Sequence, residues 1–156
     1  MTRRMITVWV AAVSLLLAVL PTPAAANAGY TKTVGNVLIY LGIIPAEIVR
    51  GLHSSGHTER TMHGGTPKGS DEYHVTIALF DAKTGERISR ADVRARVAEI
   101  GMYGEEKELQ PMEIAGTETF GNYFPMQGDG PFRIYVTIRL PGRSEAISTR
   151  FEHWHR

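Results

Sequence analysis

The chain has 156 residues, of which 43% are hydrophobic and 21% are charged, and these values are typical of a single globular domain. It contains no cysteine, which excludes disulfide bonds, thiolate metal sites and thiol catalysis. The formal net charge is +1 and no basic block follows the N-terminal segment, so no nucleic acid is expected as a partner.

The first 28 residues have the pattern of a cleavable export signal. Arg3 and Arg4 form a basic start, an uncharged apolar run follows over 6–20, and the small residues of 24–28 fit a signal-peptidase site. The apolar run is shorter than the about 20 residues that span a membrane as a helix. We therefore predict a signal peptide at 1–28 and a soluble mature chain without a membrane span; an uncleaved N-terminal anchor is the alternative.

The mature chain begins with an apolar, β-branched segment, Val37–Ile44, which Pro45 ends. Its composition predicts a strand buried on both faces, and Ala46–Arg50 has the character of an added helical turn. Residues 51–69 are rich in Gly, Ser, Thr and His and predict a long loop. Loops of this length in a compact domain are usually functional or mobile.

Side-chain alternation is clearest over Tyr73–Phe80, where the apolar residues point one way and His74 and Thr76 point the other way. A turn at 81–86 carries Gly85 at a position that favours a positive φ, and a second alternating segment follows over 88–97. The order strand, turn, strand predicts a hairpin.

Four further segments complete the predicted strands, at 109–114, 123–126, 132–139 and 147–152, with turn signals at 127–131 and 141–142. About seven short strands separated by turns predict an all-β, antiparallel, immunoglobulin-like β-sandwich. The Cys–Trp–Cys core of antibody domains is absent. We expect one domain over 29–156, with a His/Gly-rich loop at 51–69.

The histidines are unevenly distributed, and their positions suggest a metal site. Imidazole binds copper, zinc or nickel, and a thioether adds a preference for Cu(I). On an extended strand, His153 and His155 project to the same side as Phe151, so both imidazoles are expected at the rim of the core. The predicted ligands, expected to meet at one end of the sandwich, are His63, His74, His153 and His155, with Met62 or Met112 as the soft donor.

A structural role is the alternative for each of these residues. Histidines in loops and at chain ends are often solvated, and His74 then lies on the outer face of the sheet. Met112 lies in an apolar segment, where methionine is a common core residue.

Five segments of the chain share their order with a known family. They are Glu72–Ile88, Ala91–Val97, Pro111-Met112, Gly121–Tyr123 and Gly130–Val136. Together they resemble the YtkA-like domain, a family of exported or membrane-attached bacterial β-sandwich domains, over about residues 35–153.

The resemblance implies a periplasmic location and a role in copper handling, because some related domains are associated with copper or with oxidase assembly. Met112 matches the family's methionine-bearing strand, although this chain has Gln110-Pro111-Met112 in place of Met-Pro-Met.

Two functional hypotheses remain open. The first is an exported periplasmic protein that binds a copper ion as a carrier or chaperone. The second is a non-metal interaction or assembly domain for an envelope protein partner, with Val37–Ile44 as its candidate surface. No nucleophile elbow, zinc-protease motif or phosphate-binding loop is present in the sequence, so we do not expect an enzyme.

Overall fold

The computed structural model describes residues 29–52, 65–114 and 116–155, so the predicted signal peptide lies outside the described residues. This part of the chain forms an antiparallel sheet of eight strands in the order β1-β2-β3-β6-β5-β4-β7-β8, with one short helix. The all-β prediction is confirmed. The elements are β1 Thr31–Val34, β2 Val37–Pro45, α1 Ala46–Leu52, β3 Glu72–Asp81, β4 Asp92–Glu99, β5 Glu105–Ile114, β6 Thr117–Pro125, β7 Phe132–Arg139 and β8 Ile147–His153.

The sheet folds over on itself into a nearly closed sandwich. Its terminal strands approach each other, since Lys32 Nζ on β1 donates a hydrogen bond to the carbonyl oxygen of Arg150 on β8 at 2.6 Å. Inward-facing residues of β2 to β8 form one continuous core. The predicted alternation of β3, β7 and β8 holds, and Phe151 is buried as expected.

The predicted hairpin, in which the segment after the turn pairs back onto β3, is wrong beyond a single antiparallel bridge between Phe80 and Arg87. The turn itself forms, because the Asp81 carboxylate accepts hydrogen bonds from the backbone N–H groups of Lys83 and Thr84 and Gly85 has a φ of 73°. β3, however, already pairs with β2 on one edge and with β6 on the other. The chain therefore crosses to the other side of the sandwich, where β4 pairs with β5 and β7.

The expectation that Val37–Ile44 is buried on both faces is also wrong. Its inner side chains are buried, whereas Tyr40 and Ile44 on the outer face are 43% and 36% exposed. Helix α1 follows directly and packs against the outer face of the sheet, where Ala46 and Val49 contact Tyr123. No helix within 29–52, 65–114 and 116–155 is long and apolar enough to cross a membrane.

We predict that Ile134→Ala lowers the free energy of unfolding by about 2–5 kcal/mol, because it leaves a cavity in the core. Ile134 is fully buried on β7 between Val97 and Phe151 of the neighbouring strands. Ile100→Ala is the matched control, since Ile100 is 48% exposed, and should cost less than about 1 kcal/mol. Equal losses in urea denaturation would contradict this assignment of the core.

Candidate functional site

The strand register brings His74 and Met112 together on the outer face of the sheet. His74 lies opposite Tyr123, and Thr76 lies opposite Gly121, across the β3–β6 ladder. On the other edge of β6, Gly121 lies opposite Gln110, and Met112 shares the face of Gln110. Residues directly opposite in an antiparallel pair have their side chains on the same face. The His74 and Met112 side chains therefore both extend over Gly121.

Gly121 provides the space in which the two donor atoms meet. A Cβ at this position would lie 2.7 Å from Met112 Sδ and 2.8 Å from His74 Nε2. The sulfur and the nitrogen thus approach the same point above the backbone from two neighbouring strands. Glycine within a strand commonly marks such a close approach. We call His74 and Met112 the outer-face pair.

The outer-face pair is covered by protein. His74 and Met112 are each only 3% exposed. The His74 ring stacks on Tyr123 with centroids 4.6 Å apart, and this contact fixes the plane of the imidazole. Tyr123 packs against α1, and its hydroxyl donates a hydrogen bond to Thr66 Oγ1 at 3.4 Å. A thioether beside an imidazole is a donor set that suits copper, and Cu(I) in particular.

A second group of histidines lies at one end of the sandwich, on the inner side of β3. The imidazoles of His153 and His155 have centroids 5.1 Å apart and an interplanar angle of 66°. His153 Nδ1 is 2.6 Å from the Tyr30 hydroxyl, and His155 Nδ1 donates to the carbonyl oxygen of Gly128 at 2.7 Å. We call His153 and His155 the rim pair.

Aromatic side chains hold the rim pair beside an open cleft. The His155 ring stacks on Tyr73 at 4.4 Å and lies 4.9 Å from Phe132. Burial lowers the pKa of His153 below its usual value, and the neighbouring His155 lowers this pKa further. The cleft is about 430 Å³ in volume and is lined by Tyr30, Ile43, Pro45, Tyr73, His153, Trp154 and His155.

The structure therefore separates residues that the sequence analysis placed in one site. His74 points outward from β3 and Tyr73 points inward, so the rim pair and the outer-face pair lie on opposite sides of this strand. Met62 and His63 lie outside the described residues. No group of three or more His, Cys, Asp or Glu side chains suited to a metal occurs in the described part of the chain.

Sequence reasoning missed three contributors to these sites. Tyr30 directly precedes β1 and was assigned no role. Its hydroxyl contacts Nδ1 of His153, which lies 123 residues further along the chain. Tyr73 was predicted only to lie on the face of its strand opposite His74. Gly121 carried a usable signal, because a glycine flanked by strand residues often indicates a close contact.

We predict that Gly121→Ala destabilises the fold by about 1–3 kcal/mol, because the added methyl group overlaps Met112 Sδ and His74 Nε2. Gly51→Ala, in the last turn of α1, is the control. A Cβ at Gly51 would have no heavy atom of the described residues within 4 Å, so this change should be neutral or stabilise by up to about 1 kcal/mol. Chemical denaturation measures both, and an equally mild effect of Gly121→Ala would refute the close approach.

A pH dependence follows from the lowered pKa of His153. In the metal-free protein, the unfolded chain, with a histidine pKa of about 6.5, binds this proton more readily than the folded chain does. The free energy of unfolding should thus decrease as the pH falls below about 6.5, and His153→Gln should make this decrease shallower. Urea titrations in the presence of EDTA test this, and an unchanged slope would show that His153 is not the group responsible.

Comparison with known proteins shows the fold but no family. No family model matches the chain, and no curated protein matches it. Among solved structures, a DUF4426 family protein from Pseudomonas aeruginosa PAO1 has a TM-score of 0.59 at 11% identity, covering 80% of this chain and 92% of that one.

Two structures of FetP from uropathogenic Escherichia coli strain F11 are also similar. A copper-bound glutamate-to-glutamine variant has a TM-score of 0.60 at 14% identity, covering 82% of this chain and 95% of that one. The as-isolated protein, expressed in the periplasm of E. coli, has a TM-score of 0.57 at 15% identity with the same coverage. The chain therefore has a fold related to these proteins, and its resemblance to the YtkA-like domain stays a prediction.

Proposed function

We propose that this chain is an exported periplasmic copper-binding protein that holds Cu(I) at the outer-face pair and acts as a carrier or chaperone without catalysing a reaction. The observation that supports this most directly is the convergence of His74 Nε2 and Met112 Sδ over Gly121. Two donor atoms of complementary type reach one point from separate strands, where any residue larger than glycine would occupy the space.

The chemistry of this position favours Cu(I) over harder ions. Both ligands are neutral, and one is a soft thioether, which Cu(I) prefers and which Mg²⁺ or Ca²⁺ does not. The site is also nearly inaccessible to water, because each side chain is 3% exposed. Moving a divalent ion into such surroundings costs more than moving a monovalent one. Met62 and His63 stay predicted as additional ligands.

The related fold of a copper-bound protein supports the same conclusion. FetP shares this architecture over most of its length, and its glutamate-to-glutamine variant is copper-bound. Its ligands are not transferred to this chain, because 14% identity establishes a common fold only. The periplasmic location is proposed on the predicted signal at 1–28, the expression of FetP in the periplasm and the resemblance to the YtkA-like domain.

A second candidate function is a non-metal assembly domain for an envelope protein. One observation favours it: Ile100, Met102 and Tyr103, at the turn after β4, are 48%, 68% and 76% exposed. Neighbouring apolar side chains exposed in this way are typical of contact surfaces. The outer face of β2 adds Tyr40, which is 43% exposed.

We predict that the exported protein, purified without a His tag, binds one Cu(I) in anaerobic competition with a chromophoric chelator. Met112→Leu should weaken this affinity at least about 100-fold, because loss of a direct ligand exceeds the 10–100-fold effect typical of outer-shell changes. The substitution conserves volume and should cost less than about 1.5 kcal/mol of stability. His74→Gln should reduce Cu(I) affinity in the same way.

Met126→Leu is the matched control for the Cu(I) titration. Met126 is also buried, at 1% exposure, but it belongs to the main core and not to the outer face. Its replacement should leave the Cu(I) affinity unchanged. Weak binding without defined stoichiometry, or binding that is insensitive to both Met112→Leu and His74→Gln, would overturn this site and favour the assembly function.

A further inference from the structure

The rim pair has the arrangement of a second metal site that is independent of the outer-face pair. A metal–nitrogen distance of about 2.0–2.1 Å places the ring centroids of two imidazoles on one tetrahedral ion about 5 Å apart. The His153 and His155 centroids are 5.1 Å apart, and their planes are inclined by 66°. The rings therefore have the spacing that joint coordination requires before any ion binds.

The hydrogen bonds of the rim pair leave the ε nitrogens as the ligand atoms. His155 Nδ1 faces the carbonyl oxygen of Gly128, which can only accept, so the proton lies on Nδ1 and the lone pair lies on Nε2. Nε2 is buried and has no hydrogen-bond partner within the described residues. His153 Nδ1 is engaged by the Tyr30 hydroxyl at 2.6 Å. Metal-binding histidines typically use their second nitrogen in this way.

Contacts with the surrounding residues hold the rings of the rim pair in place. Stacking on Tyr73 at 4.4 Å orients the His155 ring, and the backbone N–H of His155 donates to the carbonyl oxygen of Asp129 at 3.1 Å. Together with the hydrogen bond between Tyr30 and His153, these contacts preorganise the pair.

We propose that His153 and His155 form a second site for a borderline divalent ion, Cu(II) or Zn(II), separate from the outer-face pair. Both ligands are imidazole nitrogens, and imidazole suits these two ions. Only two histidines contribute, and the described residues supply no third His, Cys or carboxylate to the group. The rim pair lines the cleft, and water or a ligand of a partner fills the remaining coordination positions, so that the ion is exchangeable.

Trp154 makes this site directly observable. It lies between the two histidines in sequence, lines the same cleft and is 53% exposed. The sequence has two tryptophans, Trp9 and Trp154, and Trp9 lies in the predicted signal peptide, so Trp154 is the sole indole expected in the exported protein. Cu(II) quenches a nearby indole, whereas Zn(II) does not remove its emission.

The experiment titrates Cu(II) into the exported Met112→Leu protein, purified without a His tag, and follows Trp154 fluorescence together with the electron paramagnetic resonance spectrum of the copper. We expect saturable quenching at one equivalent and nitrogen hyperfine coupling, with Zn(II) competing for the site. His155→Gln should abolish the quenching, and Tyr30→Phe should weaken the affinity about 10–100-fold through loss of the hydrogen bond to His153.

The outcomes distinguish this inference from the proposed Cu(I) site. Quenching by Cu(II) in the Met112→Leu variant supports the rim site, and it does so whether or not the unsubstituted protein binds Cu(I) at the outer-face pair. Stoichiometric Cu(II) binding without quenching, or quenching that survives His155→Gln, places the ion elsewhere and overturns the inference. If His155→Gln does not fold, an unchanged Cu(II) affinity in Tyr30→Phe overturns it equally.

Discussion

The alternation of side chains along β3 determines where the functional groups of this molecule lie. β3 is hydrogen-bonded on both edges, to β2 and to β6, and both of its faces are covered by protein. A shift of one residue would turn Val75 and Ile77 out of the core, so the register is strongly fixed. Tyr73 consequently faces the rim cleft and His74 faces the outer side, although they are neighbours in sequence.

This constraint explains why the single composite site expected from the histidine positions divides into two. Histidines that are close in sequence need not share a face of the sheet, because successive residues of a strand point to opposite faces. The donor sets differ as a result. The outer side combines an imidazole with a thioether, and the rim combines two imidazoles with phenol groups nearby. The two donor sets therefore differ in softness, and each donor set favours a different kind of ion.

Much of the fold was predictable from the sequence, because period-two alternation is a local property. It located β3, β7 and β8 and the burial of Phe151. Strand pairing was not predictable in the same way, since it depends on contacts between distant segments. The crossover after Asp81 occurs because both edges of β3 are paired with other strands, and β1 pairs with the remaining edge of β2. Predicting the His153–Tyr30 contact required knowing that the last strand returns beside the first.

The site residues show the same limit. His74, Met112, His153 and His155 were selected by their chemistry, which a sequence displays directly. Their partners were not, because Tyr30, Tyr73 and Gly121 act through position: a hydroxyl at hydrogen-bond distance, a ring at stacking distance and an absent side chain. Of these, only the glycine interrupts a local pattern, and so only Gly121 could be inferred before pairing was known.

Access to the two positions differs for a structural reason that bears on how an ion is exchanged. The rim pair borders an open cleft. The outer-face pair is buried, and the His74 ring stacks on Tyr123, which packs against α1. α1 has seven residues, fewer than an isolated helix needs for stability in water, so its structure depends on packing against the sheet. An ion or a partner's ligand that reaches His74 and Met112 from solvent must displace part of this cover. We expect displacement of the short helix to cost less than opening the sheet, because few residues hold the helix in place.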